Sequence, residues 1–404
     1  MRARPLEDEL MSAIQQGETV AVPRARGLTL PFDPILALAV IALAVCSLVA
    51  VGTATADDVA GNPGYFVTRQ AIYFAAGGIL ALIVWRVDYS RLREVKFLVY
   101  GLLIGSILAV MVLGSVARGS RRAIDLPFFS FQASELGKVL LIVSLSAFMA
   151  DQARRLADRR TTARIMLLAL IPAALVMLQP DLGSALVYIV IGLATLFVAG
   201  APWRHFAALG ALAAIAIALA LVALPAAGVN VLHGYQKDRL TAFLHPSDTA
   251  NKESYQQNQS RIAIGSGEKT GRGENATQTK YDFLPEHHTD FVFAVIGERW
   301  GFAGAAFVLS LYAMLIWRGL RILTASKNLY GALVAGGIVS MFLFQVFVNV
   351  GMNVGIMPIT GVPLPLMSYG GSSILTTMLA IGLLQSIHAQ ARSAAASKGR
   401  VLTF

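Results

Sequence analysis

Ten apolar runs, each near the length a helix needs to cross a bilayer, constrain this chain more than any other feature. They fall at 33–54, 66–86, 96–116, 134–151, 162–179, 182–200, 204–226, 289–317, 330–354 and 368–390. Of 404 residues, 56% are hydrophobic and only 14% are charged, whereas a water-facing surface calls for about 25% charged residues. A soluble globule is therefore excluded. The predicted fold class is all-α: a polytopic membrane protein with about ten transmembrane helices and one long extracytoplasmic loop, 228–288.

Charge sets the expected orientation. The net charge of +10 would suit nucleic acid, but the basic residues sit where membrane topology puts them, so nucleic-acid binding is discounted. Arg2, Arg4, Arg24 and Arg26, then Arg86, Arg91, Arg93 and Lys96, then Arg154 to Arg164, Arg318 to Lys327 and Arg392 to Arg400 alternate with nearly uncharged turns. The positive-inside rule then predicts both termini in the cytoplasm. Residues 1–31 have no apolar core and read as a disordered cytoplasmic tail rather than a cleaved signal peptide. Residues 32–390 form the membrane domain, and 391–404 a cytoplasmic tail. The single cysteine, Cys46, lies in an apolar run and reads as a small buried hydrophobe.

Against this background the polar and ionisable exceptions stand out. Asp290 follows His287 and His288 at the mouth of the eighth run, with Glu298 and Arg299 two turns deeper. Partial desolvation would make such a carboxylate a base, but from position alone a helix-start charge is the stronger reading. A zinc site from His287, His288 and Asp290 is disfavoured, because adjacent histidines are expected to point apart. Glu135 and Lys138 share a helix face at i, i+3, either closing the helix end or walling a polar cavity. Arg118, Arg121 and Arg122 break the positive-inside pattern and suit a phosphate or pyrophosphate, or else lipid headgroups. Asp181 reads as a helix cap. The glycine-rich 265–273 segment lacks Walker spacing and reads as a flexible external turn. The Pro and Gly cluster at 355–371 forbids helix and predicts an irregular segment packed against protein or a wet cavity. Asn258-Gln259-Ser260 and Asn275-Ala276-Thr277 are formal glycosylation acceptors attributable to chance.

Five ordered blocks give this pattern a family likeness: Gly119-Ser120-Arg121-Arg122 leading to Phe131–Lys138; Gln179-Pro180-Asp181-Leu182-Gly183; Ile262–Gly267; Phe283–Phe291; and Ser368-Tyr369-Gly370-Gly371-Ser372-Ser373. They resemble the SEDS family of bacterial cell-wall proteins, the RodA/FtsW/SpoVE group. The segment Asn349–Pro365 is most similar to the RodA elongation branch. Ala123, Ala133 and Glu268 depart from the family's usual Trp, Pro and Gly.

The resemblance implies a peptidoglycan glycosyltransferase of the cell membrane, polymerising lipid II into β-1,4-linked strands beside a class B penicillin-binding protein. It implies Asp290 as general base, with inversion at the donor sugar and undecaprenyl pyrophosphate leaving. The candidate substrate-binding set is Arg118, Arg121, Arg122, Glu135, Lys138, Asp181, Lys237, Arg239, His288, Ser368, Tyr369 and Ser372, its cationic members inferred from their charge as holders of the pyrophosphate. A divalent cation, magnesium or manganese, is an optional aid to pyrophosphate departure. Partners would be the transpeptidase, lipid II, undecaprenyl-linked glycan and membrane lipids. The competing readings are a lipid II flippase, which needs a polar path through both leaflets, and a noncatalytic scaffold.

Overall fold

Helices occupy the described part of the apolar runs in the computed structural model, which describes residues 32–56, 58–59, 61–117, 120–125, 129–219, 239, 243, 252–280, 283–284 and 286–401. The expected tail 1–31 lies outside the described residues. The helices are α1 (Pro34–Ala54), α2 (Tyr65–Arg86), α3 (Lys96–Leu113), α4 (Ala133–Asp151), α5 (Arg159–Leu178), α6 (Leu182–Val198), α7 (Trp203–Ala218), α8 (Lys252–Ser266), α9 (Val292–Ala325), α10 (Leu329–Val354) and α11 (Gly371–Val401). Eight of them are long and apolar enough to cross a membrane, while α6 and α7 are shorter, at 17 and 16 residues. The protein is a multi-pass membrane protein.

Helix starts follow local chemistry. Asp33 caps α1 through Ile35 and Leu36, with Pro34 at the first helical position; Asp158, Asp181 and Asn328 cap α5, α6 and α10. Gly355, in the left-handed region, ends α10.

Burial divides the helices into two kinds. The apolar windows of α4 and α10 are 78% and 72% buried, against 17% and 22% for α2 and α3, so the former make the centre and the latter face lipid. Phe97 and Val112 of α3 stand 72% and 73% exposed, which only hydrocarbon tolerates in such density. Around the central pair, α1 packs on α9, α2 on α11, α3 on α4, and α6 on both α5 and α10.

Three expectations need correcting. The third apolar run stops helically at Leu113, because the chain turns into a small antiparallel sheet, β1 (Ser115–Ala117), β2 (Ser120–Asp125) and β3 (Ser130–Phe131). Asp125 ties it together, accepting from the Ser115 hydroxyl at 2.7 Å and the Ser130 hydroxyl at 2.5 Å. The last helix runs on to Val401, past the 390 boundary.

The third correction concerns the glycine-rich 265–273 segment, which is pinned rather than flexible. α9 is broken at Gly301 (φ 62, ψ −158), which frees backbone groups of its own ladder. The turn after α8 satisfies them: Phe302 N donates to Glu268 O at 2.8 Å, Ala303 N to Lys269 O at 3.0 Å, and Arg272 N to Glu298 O at 2.8 Å. Contact is so close that a Cβ on Gly271 (φ +86) would overlap the Arg299 carbonyl, so glycine is required there. α8 itself packs on α9 and α10. The described part of the 228–288 segment therefore belongs to the body of the fold.

Candidate active site

The turn that presents Asp290 is built on one carbonyl. Glu286 adopts φ 62, costly for a residue with a Cβ at about 1–3 kcal/mol, and its carbonyl accepts from the amides of Thr289, Asp290 and Phe291 at 3.1, 3.1 and 3.2 Å. Two asparagines one helical turn apart on α10 hold the result. Asn349 and Asn353 donate from Nδ2 to the Asp290 carbonyl at 3.1 and 3.2 Å, and Asn353 Oδ1 accepts from Ala294 N at 3.1 Å. These amides give the first turn of α9 the partners a side-chain cap would supply. Phe291 occupies the N-cap position of α9 and makes no side-chain cap bond; Asp290 stands one residue before it, at the helix start.

The Asp290 side chain lines a cavity of about 430 Å³. Arg69 and Tyr73 of α2 form one wall, Phe129 to Glu135 another, and Thr289, Gly361, Pro363 and Tyr369 to Ser373 the rest. Pro and Gly cluster at 355–371 because this wall needs backbone that no helix provides: Gly361 (φ +72) lies where a Cβ would come within 3.8 Å of both Asp290 Oδ2 and an Arg239 guanidinium nitrogen. A carboxylate and a guanidinium thus flank a single bare glycine. Arg239 also faces Glu253 Oε1 at 3.8 Å.

Glu135 lines the same cavity, 3% exposed, and Lys138 donates to its Oε1 at 2.5 Å from behind. This favours the cavity-wall reading over a helix-end pair. Ser372, also in the wall, donates to Ser130 O at 2.7 Å and accepts from Gln132 N at 3.0 Å, joining β3 to α11. Tyr369 donates its amide to His288 O at 2.8 Å, and burial pushes its phenol up to about 12, so it stays a neutral hydroxyl at working pH. Ser368 stands behind the wall, donating to Thr289 O at 2.6 Å while accepting from Leu364 N. Asp181 is further back: one oxygen caps α6 at Ser184 N, and the other accepts from Ser134 and Gln132 at 3.2 and 3.3 Å. The cap reading holds for it, with a positioning contact added.

Arg118 and Lys237 lie outside the described residues, as do the side chains of Arg121 and Arg122, whose backbone belongs to β2. Sequence reasoning missed Arg69, the one charge in the second apolar run ahead of Arg86; a lone ionisable residue inside a span is the signal that marks it. It missed a convergence too: His287 and His288 do not diverge, and both rings face Asp58 Oδ2, at 3.3 and 3.9 Å.

Glu298 and Arg299 are the charges two turns deeper in the eighth apolar run. They are anchors: buried Glu298 accepts from Gln278 N at 2.9 Å, and Arg299 Nη2 donates to Thr53 O at 2.8 Å. Neither lines the cavity.

The model of the FtsW, RodA and SpoVE cell cycle proteins matches residues 32–393. The chain belongs to the FtsW/RodA/SpoVE family. Among curated relatives, a probable peptidoglycan glycosyltransferase FtsW of Thioalkalivibrio sulfidiphilus is 38% identical over 87% of this chain and 88% of its own length. Peptidoglycan glycosyltransferase MrdB of Escherichia coli is 33% identical over 88% and 93%. Among solved structures, one described as "Structural coordination of polymerization and crosslinking by a peptidoglycan synthase complex" aligns with a TM-score of 0.75 at 31% identity, covering 90% of this chain and 99% of that one. As an FtsW/RodA/SpoVE protein the chain is a glycosyltransferase, which removes the noncatalytic scaffold. Its similarity to FtsW proteins is as close as to the RodA branch.

Proposed function

We propose that this protein polymerises lipid II into β-1,4-linked glycan, with Asp290 as general base, and that it serves cell elongation. The observation that carries the reading is Asp290 in the cavity wall, with an arginine flanking it across Gly361 and a second, Arg69, in the same wall. The Asp290 carboxylate takes the proton of the acceptor GlcNAc 4-hydroxyl as that oxygen attacks the anomeric carbon of the donor MurNAc. The C–O bond to pyrophosphate breaks on the opposite face, giving inversion. Undecaprenyl pyrophosphate departs as a stable anion, so charge neutralisation matters more than an acid, and one carboxylate suffices where a glycosidase needs two. Arg69 and Arg239 supply that neutralisation, and Arg118, Arg121, Arg122 and Lys237 extend it.

Among the described residues the cavity offers a magnesium-class ion only Asp290 and Glu135 as anionic oxygens, and Glu135 is already matched by Lys138. Such an ion binds through one or two carboxylates, water and the substrate's phosphates, and bound there it would add charge neutralisation for the departing pyrophosphate. Both termini lie in the cytoplasm and the cavity faces outside, a reading the arginine-rich loops support. A class B penicillin-binding protein crosslinks the product, in keeping with the synthase complex the fold resembles.

The test is polymerisation of labelled lipid II by purified protein with its transpeptidase. Wild type should give glycan chains insensitive to moenomycin, and Asp290→Asn should give none. Equal chains from both would remove Asp290 from the mechanism, and lipid II crossing liposomes in the absence of any polymer would return the flippase.

A further inference from the structure

We infer that Asp58, His287 and His288 form a binding site for one first-row transition metal ion of the zinc class, linking the segment after α1 to the turn that presents Asp290. The ligand atoms of these three residues all lie within 4.8 Å of one another. None of the three lines the cavity, so the site stands apart from whatever is transferred there.

His287 is oriented as a metal ligand would be. Its Nδ1 lies 3.0 Å from the carbonyl oxygen of Leu284, and a carbonyl can only accept, so Nδ1 bears the hydrogen. The other ring nitrogen, Nε2, faces Asp58 Oδ2 at 3.3 Å. A histidine whose far nitrogen donates to a backbone carbonyl is the arrangement that metal-bound imidazoles adopt.

A proton would serve two atoms, whereas here a third ligand converges on the same oxygen. His288 Nδ1 is 3.9 Å from Asp58 Oδ2, and its ring is set by Phe66 and Tyr369 at centroid distances of 5.0 and 5.8 Å. Bonds of about 2.0–2.2 Å in a tetrahedron space ligand atoms about 3.3–3.6 Å apart. The observed separations start at that value, and the surface position of Asp58 leaves its carboxylate room to close the remainder. Two imidazole nitrogens with one carboxylate select zinc, cobalt or nickel over magnesium or calcium. Three protein ligands leave one tetrahedral position to water.

The ion would fasten the end of α1 to the residue two before Asp290. Sequence spacing hides this, because Asp58 lies more than two hundred residues from the histidines.

The test uses full-length protein in detergent, stripped with chelator and titrated with Co²⁺ while the visible ligand-field absorption is followed. The expected result is one Co²⁺ per chain with tetrahedral intensity, displaced by Zn²⁺, and a rise in melting temperature on adding Zn²⁺. Asp58→Asn and His287→Gln should each weaken Co²⁺ binding by about tenfold or more and lose the Zn²⁺-dependent melting shift. Asp58→Asn changes a surface side chain, so its chelator-stripped form should melt with stripped wild type. No stoichiometric uptake by wild type, or uptake unchanged in both variants, overturns the site.

Discussion

Two acid–base clusters, one at the start of α1 and one in the cavity wall, use the same side-chain types for opposite purposes. At the helix start, Asp33 is fully buried and saturated: it caps α1, takes Arg318 through Nε at 2.9 Å and through Nη2, and exchanges backbone bonds with Gln385 at 2.7 and 3.0 Å. No carboxylate edge there meets a cavity, and the cluster locks α1, α9 and α11 together. At the cavity, Asp290 and Glu135 line open space, and Asn349 and Asn353 hold the Asp290 carbonyl. Bonds to that carbonyl set the turn that brings the carboxylate into the cavity wall, whereas bonds to the Asp33 side chain make a rivet.

Substitutions should separate the two. The largest effect is expected at Asp290: Asp290→Asn should lower polymerisation by about 10²–10⁴-fold, the usual contribution of a general base, while the melting curve stays with wild type. A comparable loss of stability there would make Asp290 another rivet. Asp33→Ala should show the converse, costing about 1–3 kcal/mol in denaturation of the detergent-solubilised protein, because the half-buried Arg318 and the first amides of α1 lose the carboxylate they donate to. Lys138→Met tests the boundary between the clusters: with Glu135 left unmatched, both rate and stability should fall, the latter by about 1–3 kcal/mol. A change in stability alone would assign the pair to packing.

Gly271→Ala probes the pinned turn that repairs the break in α9, and should destabilise by about 1–3 kcal/mol, read from the same melting assay. The smallest effect concerns Asp125 of the hairpin, whose carboxyl is held below its usual value by the Ser115 and Ser130 hydroxyls. A depressed folded value means the contribution is present above the ordinary carboxylate range and vanishes as pH falls through the folded one. Hairpin amides should thus exchange more slowly in wild type than in Asp125→Asn at neutral pH, and equally at acid pH.

Much of the fold is legible in the chain because hydropathy acts locally: a run of about twenty apolar residues is helical in a bilayer whatever its neighbours do. Blocks around Glu135, Asp290 and Tyr369 are legible as chemistry, since polar residues in such a background need partners. Arg69 hides inside an apolar run, and Arg239 is legible only as one cation of the candidate substrate-binding set. The fate of the 265–273 turn was misread, because its glycines answer to a helix break thirty residues on.

Sequence by itself determined the membrane class, the helical runs, the caps and the residues able to do chemistry, all of which depend on side chains within a few positions of one another. Only the tertiary structure decided which carboxylate meets a cavity and which is consumed. It also decided that Asp290 is held by two asparagines of α10, and that Asp58 meets the histidines. Those outcomes depend on groups brought together across tens to hundreds of residues, and no local pattern encodes their distance.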